Sequence, residues 1–143
     1  MDTTVFGRIL AGEAEVSWIA REHGVAAFMD LHPINPGHAL VISERPAVGL
    51  ADLDPEDGRQ MFAMAQRVAA AIRASDIRCD GINLVLADGV VAGQEVFHVH
   101  LHVIPRLDGD AFGFQHAPGY PRAEVRATLD EHAMEIKRSL GQA

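Results

Sequence analysis

The segment FHVHLHVIPR, residues 97–106, alternates apolar residues with histidines. Because successive side chains of a β-strand point to opposite faces, this alternation predicts a strand with two unlike faces, ended by Pro105. The core face is predicted to hold Phe97, Val99, Leu101 and Val103. The other face is predicted to hold His98, His100 and His102. The apolar set fixes the register, and the register turns the three imidazoles outward together.

The other periodicities predict four more strands and three helices. The strands are residues 16–21, 25–29, 38–43 and 82–88; the helices are residues 3–12, a long helix that begins at Pro55 after the N-cap Asp54, and residues 121–140. Consecutive strands with few helices between them favour a five-stranded antiparallel sheet with helices on one face. This arrangement is an α+β fold.

Composition limits the classes of protein that the chain can represent. With 143 residues, 48% of them hydrophobic, we expect one domain over residues 1–143. The apolar runs are too short to span a bilayer and no export signal is seen, so we expect no membrane association. The single cysteine excludes an intramolecular disulfide and favours a cytoplasmic location. A net charge of −8 argues against a nucleic-acid partner.

The three alternating histidines are compatible with a metal site, a catalytic site or simple filling of a strand. His98 and His102 would lie about 13 Å apart along the strand, so all three can hardly reach one ion. Histidine is not a favoured strand residue, which argues against simple filling. Neutral imidazole is a nucleophile with a pKa near physiological pH, and it can form a covalent phospho-histidine. The preceding loop DGVVAGQ could supply backbone N–H groups to a phosphate.

Residues 98–104, HVHLHVI, match the His-φ-His-φ-His-φ-φ signature of the histidine triad (HIT) family of nucleotide hydrolases and transferases, where φ is apolar. The flanking AGQEVF and PR resemble the surroundings of that signature. Upstream, GRILAGE and AFMDLHPINPGHALVI resemble the family's N-terminal helix and nucleoside-side segment. The resemblance implies a HIT-like core over about residues 4–106 and a C-terminal extension over residues 107–143. Separately, five short strands leave sheet edges exposed, and pairing across a symmetric dimer would cover one of them, so we expect a homodimer.

The resemblance also implies roles for four histidines. His100 would be the nucleophile, and His102 would contact the phosphate and help the leaving group to depart. His98 would be structural and bond to nearby backbone. His38, which opens the third strand, would be the orienting or proton-relay partner, although it could also be an ordinary turn residue.

The resemblance places a substrate site around a second set of residues. Asp30 falls on the family's ribose contact, although an aspartate often simply opens a turn. Gln94, beside Gly93 in the glycine loop, falls on a phosphate contact, or is a polar loop residue. The candidates for the base pocket, each of which could equally be plain core, are Phe6, Ile9, Phe28 and Ile42.

The chain departs from the family pattern at several positions. Thr4, Gly7 and Pro46 stand where zinc-carrying relatives have two cysteines and a histidine, so we predict no metal, and no cofactor is implied. Glu95 and Ala87 replace residues that often reach the phosphate or leaving group.

We therefore predict a hydrolase that cleaves a nucleoside phosphoramidate or dinucleoside polyphosphate through a nucleotidyl-histidine on His100. Three alternatives remain: a nucleotide-binding interaction module with little turnover, a metal-binding protein, and a DNA-end-processing relative. The net charge and the absence of a basic extension count against the last.

Overall fold

The computed structural model describes residues 3–141. The helices are α1 (Val5–Leu10), α2 (Pro55–Ala74) and α3 (Arg126–Leu140), and the strands are β1 (Trp18–Glu22), β2 (Val25–Met29), β3 (Ala39–Ser43), β4 (Gly81–Leu86) and β5 (His100–Arg106). A 3₁₀ turn, Val90–Ala92, precedes β5. The described residues form two compact units, one that ends at Ala111 and one that begins at Phe112.

The five strands form one antiparallel sheet in the order β1-β2-β3-β5-β4. The predicted α+β class is therefore confirmed. His100 pairs with Ile42 of β3, and His102 pairs with Leu40 of β3 and Val85 of β4. The histidine strand thus lies between the central strand β3 and the edge strand β4.

Both faces of the sheet are covered, so the prediction of helices on one face is wrong. One face packs on α2, and its buried cluster includes Val41, Met61 and Val103. The opposite face packs on α1, and its buried cluster includes Phe6, Ile9 and Phe28. The physical reason is that β2 (VAAFM) and β3 (ALVIS) are continuous apolar runs, whose residues need cover on both sides.

The histidine strand begins later and ends later than the sequence predicts. Phe97 and His98 precede β5, and Phe97 is 49% exposed rather than in the core. Pro105 lies inside the strand, opposite Ile82. The last pair with β3 is at Val103, so Pro105 is bonded only on the β4 side and its missing N–H costs no bond to β3.

The long helix α2 begins as its cap predicts. The Asp54 side chain accepts a hydrogen bond from the Glu56 amide, and Pro55 occupies the first turn. In the second unit, α3 begins at Arg126, several residues later than predicted, and none of its residues is buried. Among residues 3–141, no helix combines the length and apolarity that crossing a membrane requires.

Candidate active site

His100 is the more enclosed of the two histidines on β5. It is 5% exposed, and its ring lies 5.0 Å from the Phe6 ring in an edge-to-face contact. Its Nδ1 lies 2.8 Å from the carbonyl oxygen of His98. A carbonyl can only accept, so Nδ1 carries the proton and Nε2 keeps a lone pair. The expectation that this ring would point openly to solvent is wrong, because α1 covers that face of the sheet.

His98 also lies inside the protein rather than on an outward face. It is 1% exposed, and its Nε2 donates to the carbonyl oxygen of Ser43 at 2.7 Å. The amide of the next residue, Val99, donates to the carbonyl oxygen of Ala47. These two bonds join the segment that precedes β5 to the end of β3 and the segment that follows it. A backbone bond of this kind is what the resemblance implies for His98.

His38, His102 and Asp30 meet at the edge of the same face. His38 Nε2 lies 2.9 Å from His102 Nδ1 and 3.4 Å from Asp30 Oδ2, and His102 Nδ1 lies 4.0 Å from the same carboxylate oxygen. The His102 ring is also 4.9 Å from the His100 ring. The structure therefore brings together three of the four predicted catalytic histidines and the predicted ribose residue.

A backbone amide sets the tautomer of this group. The Ile34 amide donates to Nδ1 of His38 at 3.0 Å. Nδ1 must therefore be an acceptor, which places the proton of neutral His38 on Nε2. That proton points to Nδ1 of His102, so the proton of His102 lies on its own Nε2. No sequence pattern could have revealed Ile34, because only its backbone takes part.

Burial keeps these rings neutral near physiological pH. Burial lowers the pKa of His38, against the opposing pull of Asp30. Burial also lowers the pKa of His100. For His102, burial and then the neighbouring His100 and His38 lower the pKa to about 4. Neutral imidazoles with fixed tautomers can act as a nucleophile and a proton donor.

Gln94 and Gly93 lie in the turn before β5. The Gln94 side chain accepts from the Gly89 amide and donates to the carbonyl oxygens of Val48 and Val96, and the residue is 4% exposed. The amides of Gly93 and Gln94 donate to carbonyls of their own turn. A contact from the Gln94 side chain to a phosphate would require one of these bonds to be exchanged.

The four candidates for the base pocket lie together in the cluster under α1. All of them are buried: Phe6, Ile9, Phe28 and Ile42. Ile42 has no exposed surface, so it cannot contact a ligand without movement of its neighbours. Phe6 touches Phe28, His98 and His100 in edge-to-face contacts, which connects this cluster to the histidines.

Asp30, His38 and His102 offer three ligand atoms within 4.8 Å of one another, a spacing that suits a metal ion. The hydrogen bonds do not fit such a site. A histidine that binds a metal through Nε2 normally carries its proton on Nδ1 and donates it. In His38 that nitrogen instead accepts from Ile34. Thr4, which stands where zinc-carrying relatives are expected to have a cysteine, caps α1 by accepting from the Gly7 amide.

Paired, buried imidazoles of fixed tautomer on an antiparallel sheet define a class of sites in which histidine can act as the nucleophile. The family model described as HIT domain matches residues 11–109. The chain therefore belongs to the HIT family, whose members are generally nucleotide-binding hydrolases and transferases.

Comparison with individual proteins supports this membership. A HIT family protein of Bacillus anthracis has a solved structure with a TM-score of 0.87 and 32% identity, covering 96% of this chain and 97% of that one. A zinc-bound histidine triad family protein of Mycobacterium smegmatis gives a TM-score of 0.74 and 40% identity, covering 81% and 84%. A bis(5'-adenosyl)-triphosphatase of Dictyostelium discoideum is 36% identical over 110 residues, covering 77% of this chain and 72% of its own.

Proposed function

We propose that this protein hydrolyses a nucleoside phosphoramidate or a dinucleoside polyphosphate and releases a nucleoside monophosphate. The observation that carries the proposal is the bond from Nδ1 of His100 to the carbonyl oxygen of His98. It leaves the Nε2 lone pair available in a ring that burial keeps neutral. That is the state in which imidazole attacks phosphorus.

The reaction has two steps: transfer of the nucleotidyl group to His100, and its transfer from His100 to water. In the first, Nε2 of His100 bonds to the phosphorus, and the bond from phosphorus to the leaving nitrogen or oxygen breaks with its electron pair. Nε2–H of His102 gives its proton to that leaving group. In the second, water attacks the phosphorus and passes a proton to His102, and the bond to His100 breaks. The nucleotide is released and both rings return to their starting state.

The comparisons support the two substrate types unequally. The similarity to a bis(5'-adenosyl)-triphosphatase favours the dinucleoside polyphosphates. The segment HVIPR, which ends at Arg106, resembles the members of the family that act on dinucleoside polyphosphates. The Arg106 guanidinium, however, is bonded to Asp110 and Asn83 at the end of β5. Among the substrate contacts, we propose Asp30 for the ribose hydroxyls, because its carboxylate lies beside His38 and His102.

The decisive experiment uses an adenosine phosphoramidate and a diadenosine polyphosphate as separate substrates. Rapid quenching followed by mass spectrometry of peptides should find adenylate on His100. His100→Ala should abolish turnover and leave nucleotide affinity within about threefold, while His132→Ala, on the exposed face of α3, should change neither. Adenylate on another residue, or equal slow turnover by wild type and His100→Ala, would exclude this mechanism.

Equal slow turnover would instead favour the alternative of a nucleotide-binding interaction module. A metal-binding role also has a specific observation in its favour, since a 40% identical relative was solved with zinc. Elemental analysis of untagged protein tests it. Stoichiometric zinc that is lost in His38→Ala would show that the group formed by Asp30, His38 and His102 binds metal.

We also propose a cytoplasmic homodimer. The strands β1 and β4 form the two edges of the sheet, and an edge with unpaired backbone groups is often covered by a second copy. Sedimentation velocity at several concentrations tests the assembly, and fractionation of cells tests the location.

A further inference from the structure

The loop between β2 and β3, residues 30–38, determines where the relay protons lie. Its Ile34 amide is the group that makes Nδ1 of His38 an acceptor. An amide N–H cannot reverse its role as donor, so its position decides the tautomer of His38 and, through the 2.9 Å contact, that of His102. Anything that holds this amide in place therefore acts on the relay.

Asn35, the next residue, fastens the loop to the chain around the end of β5. Its side-chain Nδ2 donates to the carbonyl oxygen of Pro105 and to Oδ2 of Asp110, both at 2.9 Å. Its own carbonyl oxygen accepts from the His38 amide at 3.1 Å. Three bonds from one residue thus join the loop, the relay histidine and the end of the strand that carries His102.

Asp110 is itself a firmly held anchor. Arg106 donates to both of its carboxylate oxygens, at 2.8 and 2.5 Å, and the Leu107 amide donates to Oδ2 at 2.9 Å. Its side chain is only 7% exposed. The Arg106 guanidinium, followed by the Leu107 amide and Asn35, holds the pKa of the carboxyl well below its usual range. The anchor therefore stays ionised over the whole range in which the protein would work.

We propose that Asn35 is a positioning residue for the His38–His102 relay: by bonding to Pro105 and Asp110, it keeps the Ile34 amide on Nδ1 of His38 and both relay protons on Nε2. The tautomers follow from the contacts alone. Their consequence for turnover rests on the proposed function.

The test compares Asn35→Ala with Asn83→Ala. Asn83 accepts from Nη1 of the same Arg106 at 2.6 Å, so Asn83→Ala disturbs the same guanidinium and leaves the loop untouched. Long-range ¹H–¹⁵N spectra of histidine-labelled protein distinguish a protonated ring nitrogen from an unprotonated one. We expect wild type and Asn83→Ala to show His38 and His102 each as one Nε2–H tautomer. Asn35→Ala should show mixed tautomers at both rings.

Asn35→Asp provides a second variant of nearly the same shape, since a carboxylate cannot donate to Pro105 or Asp110. It should shift the tautomers in the same direction. For turnover, Asn35→Ala should lower kcat at least about tenfold with an alkylamine leaving group and much less with an activated one, because only the former needs a proton.

Two results would overturn the inference. One is a wild-type His38 with its proton on Nδ1. The other is an unchanged Nε2–H tautomer in both Asn35 variants. Wild type without activity on any nucleotide would contradict the proposed function instead, and the tautomer comparison would still decide the role of Asn35.

Discussion

His38 Nε2 lies 2.9 Å from His102 Nδ1, and the amide of Ile34 decides which of the two nitrogens carries the proton. A backbone group outside the histidine motif thus determines, through His38, the tautomer of the motif's third imidazole. This relationship gives His102 an N–H on the nitrogen that faces away from His38. The catalytic prediction for His102 follows from that proton.

Removing His102 should matter most when the leaving group needs a proton. We expect His102→Ala to lower kcat/KM by about 10²- to 10⁴-fold for a nucleoside phosphoramidate with an alkylamine leaving group. With a nucleoside p-nitrophenyl phosphate, whose leaving group departs as an anion, the loss should be much smaller. Steady-state kinetics on both substrates measures the difference. Equal losses would mean that His102 binds the phosphate and donates no proton.

The protein should lose stability as the pH falls below neutrality. The pKa of His102 is lowered from 6.5 to about 4 in the folded chain, chiefly by burial. Below 6.5 the unfolded chain binds a proton that the folded chain resists, so the free energy of unfolding should decrease from about pH 6.5 down to about pH 4. Urea unfolding across this range measures it. His102→Asn, which cannot be protonated, should flatten the slope, and an unchanged slope would contradict this assignment.

A substitution at Asp30 can distinguish a contact with the ribose hydroxyls from an electrostatic effect of the carboxylate on His38. Asp30→Asn keeps the acceptor for the His32 amide, so the turn should survive. We expect kcat/KM for a ribonucleotide substrate to fall about tenfold or more, because a charged hydrogen bond is lost. With the 2',3'-dideoxy substrate the variant and wild type should differ little. If both substrates lose activity equally, the carboxylate acts on His38 rather than on the sugar.

Gln94 should contribute mainly to the stability of the fold rather than to substrate binding. Its side chain is buried and bonded to three backbone groups. Gln94→Glu cannot donate to Val48 or Val96, so we expect about 1–3 kcal/mol of lost stability. Denaturant titration measures this loss, with Glu95→Gln, on the exposed neighbour, as control. A fully stable Gln94→Glu protein with a raised KM would support the phosphate contact instead.

Gly37 should tolerate a side chain less well than Gly12, because a Cβ at Gly37 meets both an unfavourable backbone conformation and close neighbours. Its φ of +89° is a left-handed conformation, and a Cβ would lie 3.0 Å from Ile77 Cγ2 and 3.2 Å from Pro105 Cγ. Gly12 has a similar φ of +77° and open space around it. Thermal unfolding should show a cost of about 1 kcal/mol for Gly12→Ala. Gly37→Ala should cost at least about 1 kcal/mol more, from crowding. Equal costs would show that the packing around Gly37 yields freely.

Local patterns in the sequence were sufficient to predict the antiparallel α+β fold and the shared face of His100 and His102. Alternation with period two and the Asp54–Pro55 cap depend on neighbouring residues, so they can be read without coordinates. The predicted openness of the histidine face was wrong for a related reason. Whether a face is covered depends on a distant element, here Phe6 of α1, and no alternation reveals it.

By itself, then, the sequence indicated the family, through the resemblance of HVHLHVI and its flanks, and the alternation that puts His100 and His102 on one face, because both depend on residues that are close together along the chain. Only the tertiary structure decided how deeply the rings are buried, which nitrogen of each carries the proton, and how the loop at Asn35 is held. Those properties depend on backbone carbonyls and amides of other segments, Ser43 and Ile34 among them. Every residue type presents the same backbone groups, so their partners are set by how the strands and loops pack together.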